Sequence, residues 1–123
     1  MGLSSSRAAG ALVFLASCVM SPSVLAHAHL KQQTPAADSL VTAPRTLTLT
    51  FSEGIEPGFS GLVVTDAQKQ TIRTGAVKRD EKDKTQLNVP LDRELTPGTY
   101  QVDWHVVSVD GHKTKGSYHF SVK

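Results

Sequence analysis

The 123-residue sequence predicts an all-β fold, a sandwich of about seven short strands. Three observations predict it. Apolar and polar residues alternate with period two in run after run, as in strands with one buried and one wet face. No apolar stripe of helical spacing reaches a useful length. Turn residues recur about every 8–12 positions, the rhythm of a sandwich.

The runs follow in order. Leu47, Leu49 and Phe51 alternate with Thr46, Thr48 and Thr50. Residues 61–65 and 70–74 read as a hairpin across the turn 66–69. Leu87, Val89 and Leu91 alternate with Gln86, Asn88 and Pro90. Tyr100, Val102, Trp104 and Val106 alternate with Gln101, Asp103 and His105. Tyr118, Phe120 and Val122 alternate with Ser117, His119 and Ser121. Pro35, Pro44, Pro57-Gly58, Pro97-Gly98 and Asp110-Gly111 mark turns between them. The mixed-charge stretch 80–84 reads as a solvated loop. Tyr100 stands just inside a late strand, after Thr96-Pro97-Gly98-Thr99. That placement is the tyrosine corner of immunoglobulin-like sandwiches. Trp104, on the same face, is a core anchor.

The first 26 residues have the layout of a secretory signal peptide. Arg7 supplies positive charge, an apolar run covers 8–19 apart from Gly10 and Ser17, Pro22 follows, and small residues lead to Ala26. The run is too short for a membrane span of about 20 residues. Cleavage after Ala26 leaves one domain, 27–123, beginning His27-Ala28-His29-Leu30. It also removes Cys18, Met1 and Met20, so the mature chain carries no sulfur. Disulfides, thiol nucleophiles, iron–sulfur ligation and thioether copper sites are thereby excluded. Two other processing patterns are present. Ala26-His27-Ala28 permits a start at His29, and Leu15-Ala16-Ser17-Cys18 matches a lipoprotein box that would place a lipidated Cys18 first. The formal net charge of +2 is too balanced for a polyanion binder.

Chemistry concentrates in the histidines. There is no G-x-S-x-G elbow, no glycine-rich phosphate loop and no aromatic platform for bases or sugars. His105 and His119 fall on outward phases and read as surface residues. Asp110 and His112 are two apart, and in extended chain they project to one side. A mature chain starting at His27 offers an α-amine and an imidazole from one residue. With unperturbed pKa values near 7.7–8.0 and 6.5, these groups lose few protons when a metal binds near neutrality. If folding brings His27 beside Asp110 and His112, three nitrogens and one carboxylate oxygen converge. That sulfur-free set suits tetragonal Cu(II), suits Cu(I) poorly, and admits Zn(II). His27-Ala28-His29 permits a second mode, in which the amine, two deprotonated amides and the His29 imidazole bind Cu(II) or Ni(II) without any fold.

His27-Ala28-His29-Leu30, Thr34-Pro35-Ala36-Ala37, Phe51-Ser52-Glu53, Pro97-Gly98-Thr99-Tyr100, Val102-Asp103-Trp104 and the run Val106 to Lys113, with Gly116, Phe120 and Val122-Lys123, stand in this order along the chain. Together these segments resemble the CopC family of periplasmic copper-binding proteins. The resemblance covers essentially the whole mature chain, in order. It implies a Greek-key β-sandwich or barrel holding one Cu(II), with His27, Asp110 and His112 as ligands. It implies that Glu53 orients a ligand imidazole without touching the metal, and it leaves His29 as an alternative ligand. It also implies a CopD-type inner-membrane partner. Copper-resistance members carry a methionine-rich loop for Cu(I), and this mature chain has no methionine. The expectation is therefore a single Cu(II) site in a non-enzymatic periplasmic protein that buffers or delivers copper. Two alternatives stand beside it. One is an oxidative enzyme using the same N-terminal chelate, opposed by the small chain, the lack of a flat aromatic surface and a carboxylate where oxygen must bind. The other is a metal-free immunoglobulin-like interaction module.

Overall fold

The computed structural model describes residues 28–123. The expected signal segment 1–26 and His27 lie outside the described residues. Nine strands form: β1 (Leu30–Thr34), β2 (Leu40–Val41), β3 (Thr46–Phe51), β4 (Gly61–Thr65), β5 (Thr71–Ile72), β6 (Lys78–Arg79), β7 (Gln86–Pro90), β8 (Gly98–Val107) and β9 (Lys113–Val122). One 3-10 turn, Pro57–Phe59, precedes β4. Three of the nine strands are two-residue pairings at sheet edges; of these the sequence reading named only β5, as the second arm of the 61–74 hairpin.

The strands make two layers. One sheet has the order β1-β3-β7-β6 and the other β2-β9-β8-β4-β5. Pairings are antiparallel except β2 with β9, where Leu40 meets Ser121 and Val41 meets Val122. Chain direction is thus set mostly by hairpins and sheet crossings, as expected when one face of each sheet is wet.

Period-two alternation decides which face is buried. Leu47, Leu49 and Phe51 from β3 and Leu87 and Val89 from β7 face Tyr100, Val102, Trp104 and Val106 from β8 and Tyr118, Phe120 and Val122 from β9. Burying each such side chain contributes about 1.5–3 kcal/mol against conformational entropy. Phe51 meets Trp104 edge-to-face at 5.2 Å between ring centroids. Tyr100 stacks on Phe120 at 5.7 Å. The Tyr100 hydroxyl donates to the Thr96 carbonyl at 2.6 Å, so the tyrosine corner is formed. Phe59, by contrast, is 72 % exposed and lies outside this core.

The β4–β5 hairpin turns where the sequence placed it. The Asp66 carboxylate accepts the Gln68 and Gln70 N–H groups, both at 2.9 Å. The 80–84 stretch is a loop in which Asp80 accepts the Lys82 and Asp83 N–H groups, both at 3.0 Å. His105 and His119 are exposed, and His119 Nε2 lies 3.1 Å from Gln101 Oε1.

Candidate metal centre

The ten-residue strands β8 and β9 run antiparallel from Gly98↔Val122 to Val107↔Lys113, so residues 108–112 join them at one end of the sandwich. The join is a tight turn. Ser108 N–H donates to the His112 carbonyl at 2.9 Å, and Gly111 N–H donates to the Ser108 carbonyl at 2.8 Å. Gly111 has φ +91°, a conformation glycine adopts without steric cost. A third bond, Val109 N–H to the Gly54 carbonyl at 2.9 Å, ties the turn to the loop after β3.

This turn brings Asp110 and His112 together. Asp110 Oδ1 and His112 Nδ1 are 3.1 Å apart, with side chains 42 % and 45 % exposed. The sequence reading paired them through strand periodicity. The structure pairs them through the turn instead, because Gly111 reverses the chain between them. Two donors at about 2.0–2.2 Å from one ion, at right angles, lie about 3 Å apart. The observed span therefore suits adjacent corners of a metal site as well as a hydrogen bond.

Asp110 is held as an anion. The Ser108 hydroxyl donates to its Oδ1, and the His112 N–H approaches the same oxygen at 3.4 Å. These contacts, the Ser108 hydroxyl first and the His112 ring next, hold the Asp110 carboxyl below its ordinary range. Asp103 is held down in the same way by Ser117 and then Gln101, but on the outer face of the β8–β9 pair.

The first described residues lie against the same end of the sandwich. Ala28 is 2 % exposed, and its carbonyl accepts the Thr114 hydroxyl at 3.2 Å. Thr114 is two residues past His112. His29 N–H donates to Ser52 Oγ at 2.8 Å, and Ser52 N–H returns a bond to the His29 carbonyl at 2.9 Å. Glu53, half-buried, lies between Ser52 and the Gly54 whose carbonyl holds the turn. Three sequence segments, 28–29, 52–54 and 108–114, thus meet at one place.

Among the described residues, no three His, Cys, Asp or Glu side chains converge as a metal group. The described His29 side chain is thus not gathered with Asp110 and His112 into such a group. His27, the third ligand expected from sequence, lies outside the described residues. Ser108 is the residue that sequence reasoning passed over. The available signal was its phase: it continues the inward series Tyr100, Val102, Trp104, Val106, yet it is polar.

Comparisons with known proteins identify relatives of this chain. The CopC domain model matches residues 30–123. Protein YobA of Escherichia coli K12 is 59% identical over 114 residues, covering 92% of each chain. Copper resistance protein C of Xanthomonas campestris pv. juglandis is 35% identical over 117 residues, covering 91% of this chain and 92% of its own. The crystal structure of PcoC, a methionine-rich copper resistance protein from Escherichia coli, superposes with a TM-score of 0.72 at 36% identity. That superposition covers 80% of this chain and all of PcoC. Two-layer fold, segment order and sequence identity over most of the length lead to one assignment: this chain is a member of the CopC family.

Proposed function

We propose that this protein is exported, cleaved after Ala26, and binds one Cu(II) in the periplasm to buffer or deliver it rather than to catalyse a reaction. The ligands are the His27 amine and imidazole, His112 and Asp110. Glu53 orients a ligand imidazole from the neighbouring loop, as carboxylates around metal-bound histidines commonly do. Delivery would be to a CopD-type inner-membrane protein.

One observation carries the reading. Asp110 and His112 meet at 3.1 Å on an exposed turn, and the Ala28 carbonyl is bonded to Thr114, two residues beyond that turn. Residue 27 is one peptide away from Ala28, about 3.8 Å between Cα atoms. In a chain starting at His27, the second residue, Ala28, is therefore the one bonded to Thr114 beside that turn, which supports His27 as the third ligand. The donor set, nitrogen and oxygen without sulfur, matches Cu(II) better than Cu(I). The copper-resistance names of the relatives point to the same metal.

Intact mass of the exported protein, with and without Cu(II), tests this directly. The expected species is 27–123 plus one copper. A mature product beginning at Cys18 or His29, or one that retains no copper, would overturn it. A version with an extra residue ahead of His27 blocks the amine and should bind copper much more weakly.

A further inference from the structure

We propose that Ser108 is a positioning residue for the metal, acting through Asp110; this inference rests on the copper reading above. Ser108 is fully buried, a small polar side chain that continues the otherwise apolar and aromatic inward row of β8. Most buried hydroxyls in proteins are hydrogen-bonded. The partner here is Asp110 Oδ1, the same oxygen that faces His112 Nδ1.

The turn itself does not need this hydroxyl. Its closing bonds are made by backbone groups: Ser108 N–H to the His112 carbonyl, Gly111 N–H to the Ser108 carbonyl, and Val109 N–H to the Gly54 carbonyl. The Ser108 hydroxyl also lies 3.3 Å from the His112 carbonyl, but that carbonyl already accepts the Ser108 N–H. What the hydroxyl adds is the setting of one carboxylate. The Asp110 side chain is 42 % exposed, and a carboxylate reaching into solvent samples several rotamers unless anchored. Anchoring one oxygen from inside the core fixes its plane toward the imidazole before any metal arrives. Pre-setting a ligand in this way lowers the ordering cost of binding. The geometry points to a rigid core residue serving a wet site, with Asp110 as the link.

A double-mutant cycle separates this role from a merely structural one. Protein beginning at His27 is compared as wild type, Ser108→Ala, Asp110→Asn and the double variant. Cu(II) affinity is read by competition with a chelator, electron paramagnetic resonance reports the copper environment, and melting of the metal-free forms is measured alongside. We expect Ser108→Ala to weaken Cu(II) binding by about 10-fold or more, the usual scale for groups that hold a ligand in place. Its resonance spectrum should move toward that of Asp110→Asn, and the double variant should bind no more weakly than Asp110→Asn alone. Ser108→Thr keeps the hydroxyl and should recover wild-type binding. Wild-type affinity and spectrum in Ser108→Ala overturn the inference while leaving the copper site standing. So does a Ser108→Ala loss that adds in full to that of Asp110→Asn. A wild type that takes up no copper overturns the copper reading and this inference together.

Discussion

His112→Ala separates the folded metal site from a mode that needs no fold. In the metal-free protein the change should cost little. The His112 side chain is 45 % exposed, and Asp110, which it meets at 3.1 Å, is 42 % exposed. Exposed pairs of this kind contribute about 0.2–1 kcal/mol. The His112 backbone bonds that close the turn survive the substitution. The metal-free melting temperature should therefore fall by at most roughly 4–8 °C, the shift per kcal/mol for a domain of this size. Copper is different. At free metal a thousandfold above Kd, binding stabilises the wild type by about 4.1 kcal/mol, roughly 15–30 °C in melting temperature. If loss of the imidazole weakens binding about a hundredfold, the same copper concentration stabilises the variant by only about 1.4 kcal/mol. Thermal melts followed by circular dichroism, with and without Cu(II), read both effects on protein beginning at His27. A copper-induced shift in His112→Ala as large as in wild type would refute the reasoning, and would assign the metal to the tripeptide 27–29.

Other consequences follow from the core. Tyr100→Phe removes the 2.6 Å bond to the Thr96 carbonyl and should cost about 1 kcal/mol, seen as a melting temperature lower by roughly 4–8 °C. Gly116→Ala would place a Cβ 2.6 Å from Trp104 Cζ2 and 2.9 Å from Cε2, against an indole already packed on Phe51. Such overpacking should cost about 1–3 kcal/mol in denaturant unfolding. Burial pushes the Tyr118 hydroxyl up to about 12 from an ordinary value of 10.0. The folded state thus favours the protonated phenol, so this contribution is complete below pH 10 and is lost as pH rises toward 12. Tyrosinate absorbance in an alkaline titration should show Tyr118 ionising late, and Tyr118→Phe should flatten the alkaline loss of stability.

The sequence was most readable where one face of a strand is apolar. Leu47-Leu49-Phe51, Leu87-Val89 and the Tyr100-to-Val106 series name their strands, their buried face and much of the core. Legibility ends where pairing does not depend on burial. β1 reads Leu-Lys-Gln-Gln-Thr with no clean alternation, and it is a strand because β3 offers it an edge. β9 begins at Lys113, earlier than its apolar series, because β8 extends alongside it to Val107. At the site, Asp110 and His112 were visible as residue types with metal-binding chemistry. Their meeting through a turn, and the hydroxyl behind them, depend on backbone contacts between segments more than 50 residues apart, such as Gly54 with Val109. No local spacing encodes such contacts. The segments are joined by the fold, and the partners of 28–29 could be found only once β3 and β9 were in place.

Those partners also weigh against the tripeptide mode. Four-nitrogen chelation by 27–29 would require the amide nitrogens of Ala28 and His29 to lose their protons and turn toward the metal. In the folded protein the His29 N–H is committed to Ser52 Oγ at 2.8 Å, and the His29 carbonyl accepts the Ser52 N–H. Ala28 is buried at 2 % exposure with its carbonyl on Thr114. Reaching the tripeptide geometry would mean giving up the His29 N–H bond to Ser52, worth about 0.5–1.5 kcal/mol net, in a segment whose two carbonyls are also engaged. The proposed coordination by His27 with Asp110 and His112 requires no backbone amide to lose its proton. The same contacts that dock the start of the domain on β3 and β9 therefore favour the site at the β8–β9 turn. Metal binding as proposed at that turn would leave the His29 N–H bond in place, while the tripeptide mode would break it.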